Sequence, residues 1–380
     1  MARDAFFYLL TFFFIVLLTD FLRRQALTAG LVDRPSTRKR HRGLIPPVGG
    51  EAIFLGCLLS ALALRVPQTL VLQLFAIGAI VVVVGAVDDC FDVSASSRLL
   101  AQVLASGTMA LGAGVHFDSL GAVLPGGGEL ALGALAVPFT VFCTVGVINA
   151  FNMADGMDGL SGSLALVALT GMAAVAAATG STGLLSMLLI MASGIAAFLS
   201  LNARCPWRWR ASVFLGDAGS TFLGFALTWF VIRLSQGQGA PMSPETGLWL
   251  LMVPLFDTVY VMFRRLSRGR SPMAADRQHL HHYLLRGGLS VTQSLAVILS
   301  LSITGAGVGL ATRVTGLSDQ VVLGLFVAAF VLYCGGMTLA WWVHPQFYRF
   351  VLRRRRHPRL PIVARVHAEP ADDATPLEAP

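Results

Sequence analysis

A chain of 380 residues in which 55% are hydrophobic and only 13% are charged cannot hide its apolar surface as a soluble fold, since soluble domains run about 45–50% apolar and about 25% charged. Lipid must cover part of it. The net charge of +8 does not mark a nucleic-acid binder, because the basic residues flank apolar runs and are not spread with aromatics over a polar domain.

A helix needs about 17–25 apolar residues to cross the hydrocarbon. In chain order eleven runs qualify: 5–22, 47–66, 69–87, 98–115, 134–152, 160–178, 184–202, 220–235, 247–263, 291–311 and 319–343. The expected fold is all-α, a polytopic membrane bundle of about eleven transmembrane helices. It comprises one transmembrane domain over 1–343, which carries the chemistry, and a cytoplasmic tail over 344–380. The tail opens with the basic run Arg353 to Arg356, and its Pro-, Ala- and acid-rich end lacks the apolar content to fold. The first run has no basic region before it and is followed by Arg23 and Arg24, so it stays as a helix and is not a cleaved signal. Cys57, Cys90, Cys143, Cys205 and Cys334 form no CxxC pair and read as reduced packing residues.

Short cytoplasmic loops keep Lys and Arg. With the N-terminus outside, the connections 23–46, 88–98, 203–219 and 264–290 and the tail hold 24 of the 28 basic residues. The N-terminus is therefore expected in the periplasm and the C-terminus in the cytoplasm, across a bacterial inner membrane.

That orientation gathers the carboxylates at the cytoplasmic helix ends. Asp88 and Asp89 close one run in VGAVDDCFD, with Asp92 a turn on. Asn149, Asn152 and Asp155 recur every three residues in NAFNMADGMDGL and share one side of a helix, before Gly156 and Gly159 let the backbone turn and present Asp158. Asp217 stands in VFLGDAGS, and Asp257 lies inside a run. Carboxylates in a membrane are costly and mark function by default. Several on one face repel, and Mg²⁺, which takes hard oxygen ligands, would relieve the repulsion.

Basic groups meet the acids on the same side. DRPSTRKRHRGLIPPVGG carries Lys39 and His41, which topology alone would also explain, and RRLSRGRSPMAADRQHLHH carries Arg265, His279, His281 and His282. Arginine forks and imidazoles suit phosphate oxygens. Acids, metal and cations together describe phosphoryl or pyrophosphate chemistry. The rival from another class is a secondary transporter, which would place its charge near the midplane on broken helices.

The ordered set DRPSTRKRHRGLIPPVGG, VDDCFD, NAFNMADGMDGL, FLGDAGS and DRQHLHH resembles the polyprenyl-phosphate N-acetylhexosamine-1-phosphate transferases, over about residues 5 to 310. The resemblance is to the GlcNAc type more than to the related enzymes acting on a UDP-muramyl-pentapeptide. It implies transfer from a UDP-N-acetylhexosamine to undecaprenyl phosphate, with release of UMP and a requirement for Mg²⁺, which Mn²⁺ can replace. By resemblance Asp217 is a metal ligand, with Asn152 and Asp89 beside it. Asp88 and Asp89 match the paired acids next to the metal and the attacking phosphate. Asp155 and Asp158 match acids near the nucleotide, and Phe214 an aromatic that stacks on uracil. His279, taken as catalytic, and the substrate-binding Arg265, His281 and His282 match the loop that meets pyrophosphate and sugar. Lys39, His41 and Asn149 complete the expected substrate contacts. Direct attack with Asp88 as base and an aspartyl-phosphate route both remain open, the first being favoured. Membrane lipid is the surrounding partner, nucleic acid is none, and a homodimer is compatible with the sequence.

Overall fold

The computed structural model describes residues 2–33, 43–271 and 278–355. Among them the chain is helical, with four isolated β-bridges and no strand. The helices are α1 (Ala2–Ala29), α2 (Gly49–Ala63), α3 (Gln68–Phe91), α4 (Ala95–Gly107), α5 (Gly133–Ala154), α6 (Leu160–Ala178), α7 (Thr182–Asn202), α8 (Gly216–Ser235), α9 (Pro244–Leu250), α10 (Met252–Leu266), α11 (Leu280–Arg286), α12 (Val291–Thr315) and α13 (Asp319–Arg355). Two compact units divide the chain, Met1–Met337 and Thr338–Pro380.

Each of the eleven apolar runs falls on helix. Eight helices among the described residues are long and apolar enough to cross a bilayer, nine if α9 and α10 count as one broken span. The other two runs are shorter as helices. α2 has 15 residues, or about 22 Å of helix against a hydrocarbon core of about 30 Å. α4 begins with Ala95, Ser96, Ser97 and Arg98 and runs into a π-helical stretch over Thr108–Gly112. α9 and α10 meet at 81°. Pro254 explains the break, since it has no N–H for the Leu250 carbonyl and its ring crowds that oxygen.

α8 is the centre of the first unit, packed by α2, α3, α5 and α6. Small residues set how close these neighbours come. A β-carbon on Gly50 would collide with the Gly219 amide, one on Gly85 would lie 2.5 Å from the Ala218 backbone, and one on Gly224 would strike Ile148. Phe54, Phe75 and Phe222 pack edge to face or tilted between α2, α3 and α8. Lipid accounts for the apolar side chains left outside, among them Phe6, Phe13 and Phe14 on α1. The five cysteines are free.

Candidate active site

The polar side chains converge where α3 and α5 end and α2 and α8 begin. Asp89 on α3 accepts from the backbone amides of Asp217 at 2.9 Å and Ala218 at 3.2 Å, so its two oxygens cap the start of α8. Gly216 allows this: its φ is +75°, and a β-carbon there would lie 2.5 Å from Asp89 Oδ2. Asp88, one residue earlier, is buried. Its Oδ1 accepts from the Val93 amide at 2.6 Å and its Oδ2 from Arg98 Nη1 at 2.7 Å. Arg98 also stands 3.7 Å from Asp217 Oδ2, so one guanidinium bridges two acids from different helices.

Asn152 on α5 donates through Nδ2 to Asp217 Oδ1 and to Ser220 Oγ, the latter at 3.0 Å. It presents its NH₂ group to Asp217, so in this arrangement it positions that carboxylate, and it joins a metal only after rotating its amide. Asn149, a turn earlier, gives its Nδ2 to Gln102 Oε1 at 2.8 Å and to the Val145 carbonyl at 2.8 Å. It thus braces α5 against α4.

Asp155 ends α5. Burial, followed by the negative charges of Asp217 and Asp158, pushes its carboxyl up to about 7. Asp158, three residues on, is held elsewhere, by Arg204 Nε at 2.7 Å and the Ala211 amide at 3.4 Å. Asn202 completes this edge, accepting from the Gly159 amide at 2.7 Å and donating to the Val213 carbonyl at 2.8 Å. Phe214 is half-buried, and its backbone pairs with Pro46 and Gly49 at 2.9 Å each, which fixes the ring's base at the start of α2.

The histidines form a second group that touches the first. Asp257 on α10 accepts from the Leu280 amide at 2.8 Å and the Tyr333 hydroxyl at 3.0 Å, and pairs with His279 Nδ1 at 2.8 Å. His279 stacks on His281 with rings 5.9 Å apart and 7° from parallel, and His282 lies 4.1 Å from His281. Burial and the neighbouring His282 hold the His281 imidazole down to about 3, so it is neutral near pH 7. Its Nε2 is buried without a hydrogen-bond partner and lies where a β-carbon on Gly156 would fall. Arg265 is buried at the end of α10. Lys39 and His41 lie outside the described residues.

Among the described residues no group of three or more His, Cys, Asp or Glu closes around one metal position. Mg²⁺ usually takes one or two carboxylates from a protein and completes its octahedron with water and substrate phosphate. Asp88 and Asp217 are adjoining hard oxygen donors that fit such an ion, and Asn152 would add its own oxygen once its amide has rotated.

Three participants were missed in the sequence. Arg98 was legible as the sole basic residue of a connection crowded with acids. Glu51 lies near Asp89 with its Oε2 buried and unpartnered, and nothing in its sequence context signals that. Arg204 was one of several topological arginines until Asp158 was found against it.

Acids, a guanidinium and imidazoles meeting at one end of a membrane bundle suit chemistry on phosphate groups, not passage across the bilayer. A family model described as glycosyl transferase family 4 matches residues 71–235. Similar proteins from Salmonella typhi, Yersinia pestis and Escherichia coli K12 carry the name undecaprenyl-phosphate alpha-N-acetylglucosaminyl 1-phosphate transferase. The Salmonella protein is 39% identical over 92% of this chain and 94% of its own. For the Yersinia protein the figures are 37%, 88% and 91%, and for the Escherichia protein 36%, 92% and 94%. The chain belongs to the polyprenyl-phosphate N-acetylhexosamine-1-phosphate transferases of glycosyl transferase family 4.

Proposed function

We propose that the chain transfers N-acetylhexosamine 1-phosphate, GlcNAc 1-phosphate by the names of its relatives, from the UDP-sugar to undecaprenyl phosphate and releases UMP. The bundle sits in a bacterial inner membrane, in the eleven-span topology that puts the acidic pocket at the cytoplasmic face. The observation that carries this reading is the joining of Asp88, Arg98, Asp217 and Asn152 from four helices in one set of hydrogen bonds and ion pairs.

In the transfer, an oxygen of the lipid phosphate forms a bond to the sugar-bearing phosphorus, and the bond from that phosphorus to the bridging oxygen of UMP breaks. Asp88 takes a proton from the lipid phosphate, with Arg98 beside it to meet the incoming charge. Asp217, with Asn152, would hold Mg²⁺, whose charge would offset that of the pyrophosphate. Asp155 and Asp158 edge the nucleotide side, with Phe214 against the base. His279, fixed by Asp257, and His281 and His282 face the pyrophosphate and sugar with Arg265. A neutral His281 donates or accepts one hydrogen bond through the free Nε2 without adding charge.

The test is purified protein in lipid with undecaprenyl phosphate, Mg²⁺ and a panel of UDP-N-acetylhexosamines. UMP release and a labelled lipid with one or more of them is expected, and chelation should abolish both. Absence of turnover across the panel, with intact fold, would sink the reading.

A further inference from the structure

The connection between α7 and α8 contains Cys205, Pro206, Trp207, Arg208, Trp209 and Arg210. Cys205 and Arg208 exchange both backbone hydrogen bonds at 2.9 Å, which puts Pro206 and Trp207 at the tip of a tight turn. The two indoles are bare: Trp207 is 85% exposed and Trp209 80%. Such large apolar groups, each with one polar N–H, favour a place that is half wet.

The position of the turn supplies that place. α7 and α8 are both apolar enough to span a bilayer, so the connection 203–215 leaves the membrane and returns to it and stays near its surface. Tryptophan concentrates there. The turn is also rigid. Arg208 donates to the Ser200 and Ala203 carbonyls, and the Ser212 amide donates to the Leu201 carbonyl at 2.9 Å. Of its other cations, Arg204 is taken by Asp158 at 2.7 Å. Arg210 is exposed and has no carboxylate partner among the described residues.

We propose that this turn is a membrane foot, with Trp207 and Trp209 set into the headgroup layer and Arg210 holding an anionic phospholipid headgroup. Cationic side chains beside a bilayer are drawn to anionic lipid, and the pairing of two indoles with one open guanidinium matches that surface in both apolarity and charge. Because Arg204 and Ala211 tie the foot to Asp158, it also sets the height of the 155–159 turn above the lipid. The inference uses no step of the transfer reaction.

The experiment reconstitutes the full chain into phosphatidylcholine vesicles with and without phosphatidylglycerol, a fraction of the lipid carrying bromine at shallow or deep acyl positions. Shallow bromines are expected to quench a share of the tryptophan emission that Trp207→Phe/Trp209→Phe lacks, and iodide in the buffer should fail to reach that share. The quenching should rise with phosphatidylglycerol in the wild type and not in Arg210→Gln. Iodide quenching without any bromine effect would overturn the proposal. Equal quenching in both lipids, or an Arg210→Gln variant that behaves as wild type, would overturn it by removing the anionic headgroup. Protection that grows with protein density at fixed lipid would assign the face to a second copy of the chain. UMP release is not read, so this experiment and the transfer assay fail independently. Both indoles project from the fold, and size-exclusion elution of the double variant checks that it is intact.

Discussion

At the residue scale, Asp217 and Asp155 differ in what they are tied to. Asp217 is hydrogen-bonded by Asn152 and faces Arg98, so Asp217→Asn keeps a group of the same shape and loses the negative charge. Metal-dependent turnover should fall by orders of magnitude while elution and helix content stay those of the wild type; turnover within about twofold of wild type would take Asp217 out of the site. Asp155 carries a pH signature. Folded, it keeps its proton up to about pH 7, whereas an unfolded aspartate releases it near about 3.9. The unfolded chain thus binds fewer protons in that interval, and this group's contribution to stability falls as pH rises from about 4 to about 7. Asp155→Asn has no such proton, so without divalent cations its Tm advantage over wild type should widen across that window and level off above it. A constant or shrinking gap would contradict the assignment. The acids of this site were readable because lipid makes each carboxylate conspicuous. Their partners were not, since an arginine near a membrane has a topological explanation wherever it stands, as Arg98 and Arg204 show.

At the element scale, the site depends on backbone contact between α8 and its neighbours. Gly50 touches Gly219 with no soft side chain between them, so Gly50→Ala must push α2 from α8. Overpacking typically costs about 1–3 kcal/mol, and this contact belongs at the upper end; Gly146→Ala, whose β-carbon meets nothing within 4 Å, is the control. Thermal melts in detergent should show a clear loss for the first and none for the second, and equal melting of the two would mean that α2 and α8 are not in contact. Helix existence was legible at all eleven runs because apolar length is a strong signal. The bend at Leu251 and the shortness of α2 were not, because hydropathy averages over Pro254 and over the loop residues that flank Gly49–Ala63.

At the scale of the molecule, the polar groups lie at one end of the bundle, and the proposed topology turns that end to the cytoplasm. A reporter fused after residue 380 should give a cytoplasmic signal, and one inserted at Gly126, in the connection between α4 and α5, a periplasmic one. The reverse pair would invert the topology and put the acids on the side where no UDP-sugar is made. α8 adds a consequence for biogenesis. It is the least apolar of the eight spans, with a mean hydropathy of 1.3, and the most enclosed, with 94% of its window buried. The four helices that pack most closely on it, α2, α3, α5 and α6, all leave the ribosome before it. A helix that a translocon would release poorly into bare lipid therefore arrives when its slot is already built, and Asp217 reaches its capping carboxylate in the act of insertion.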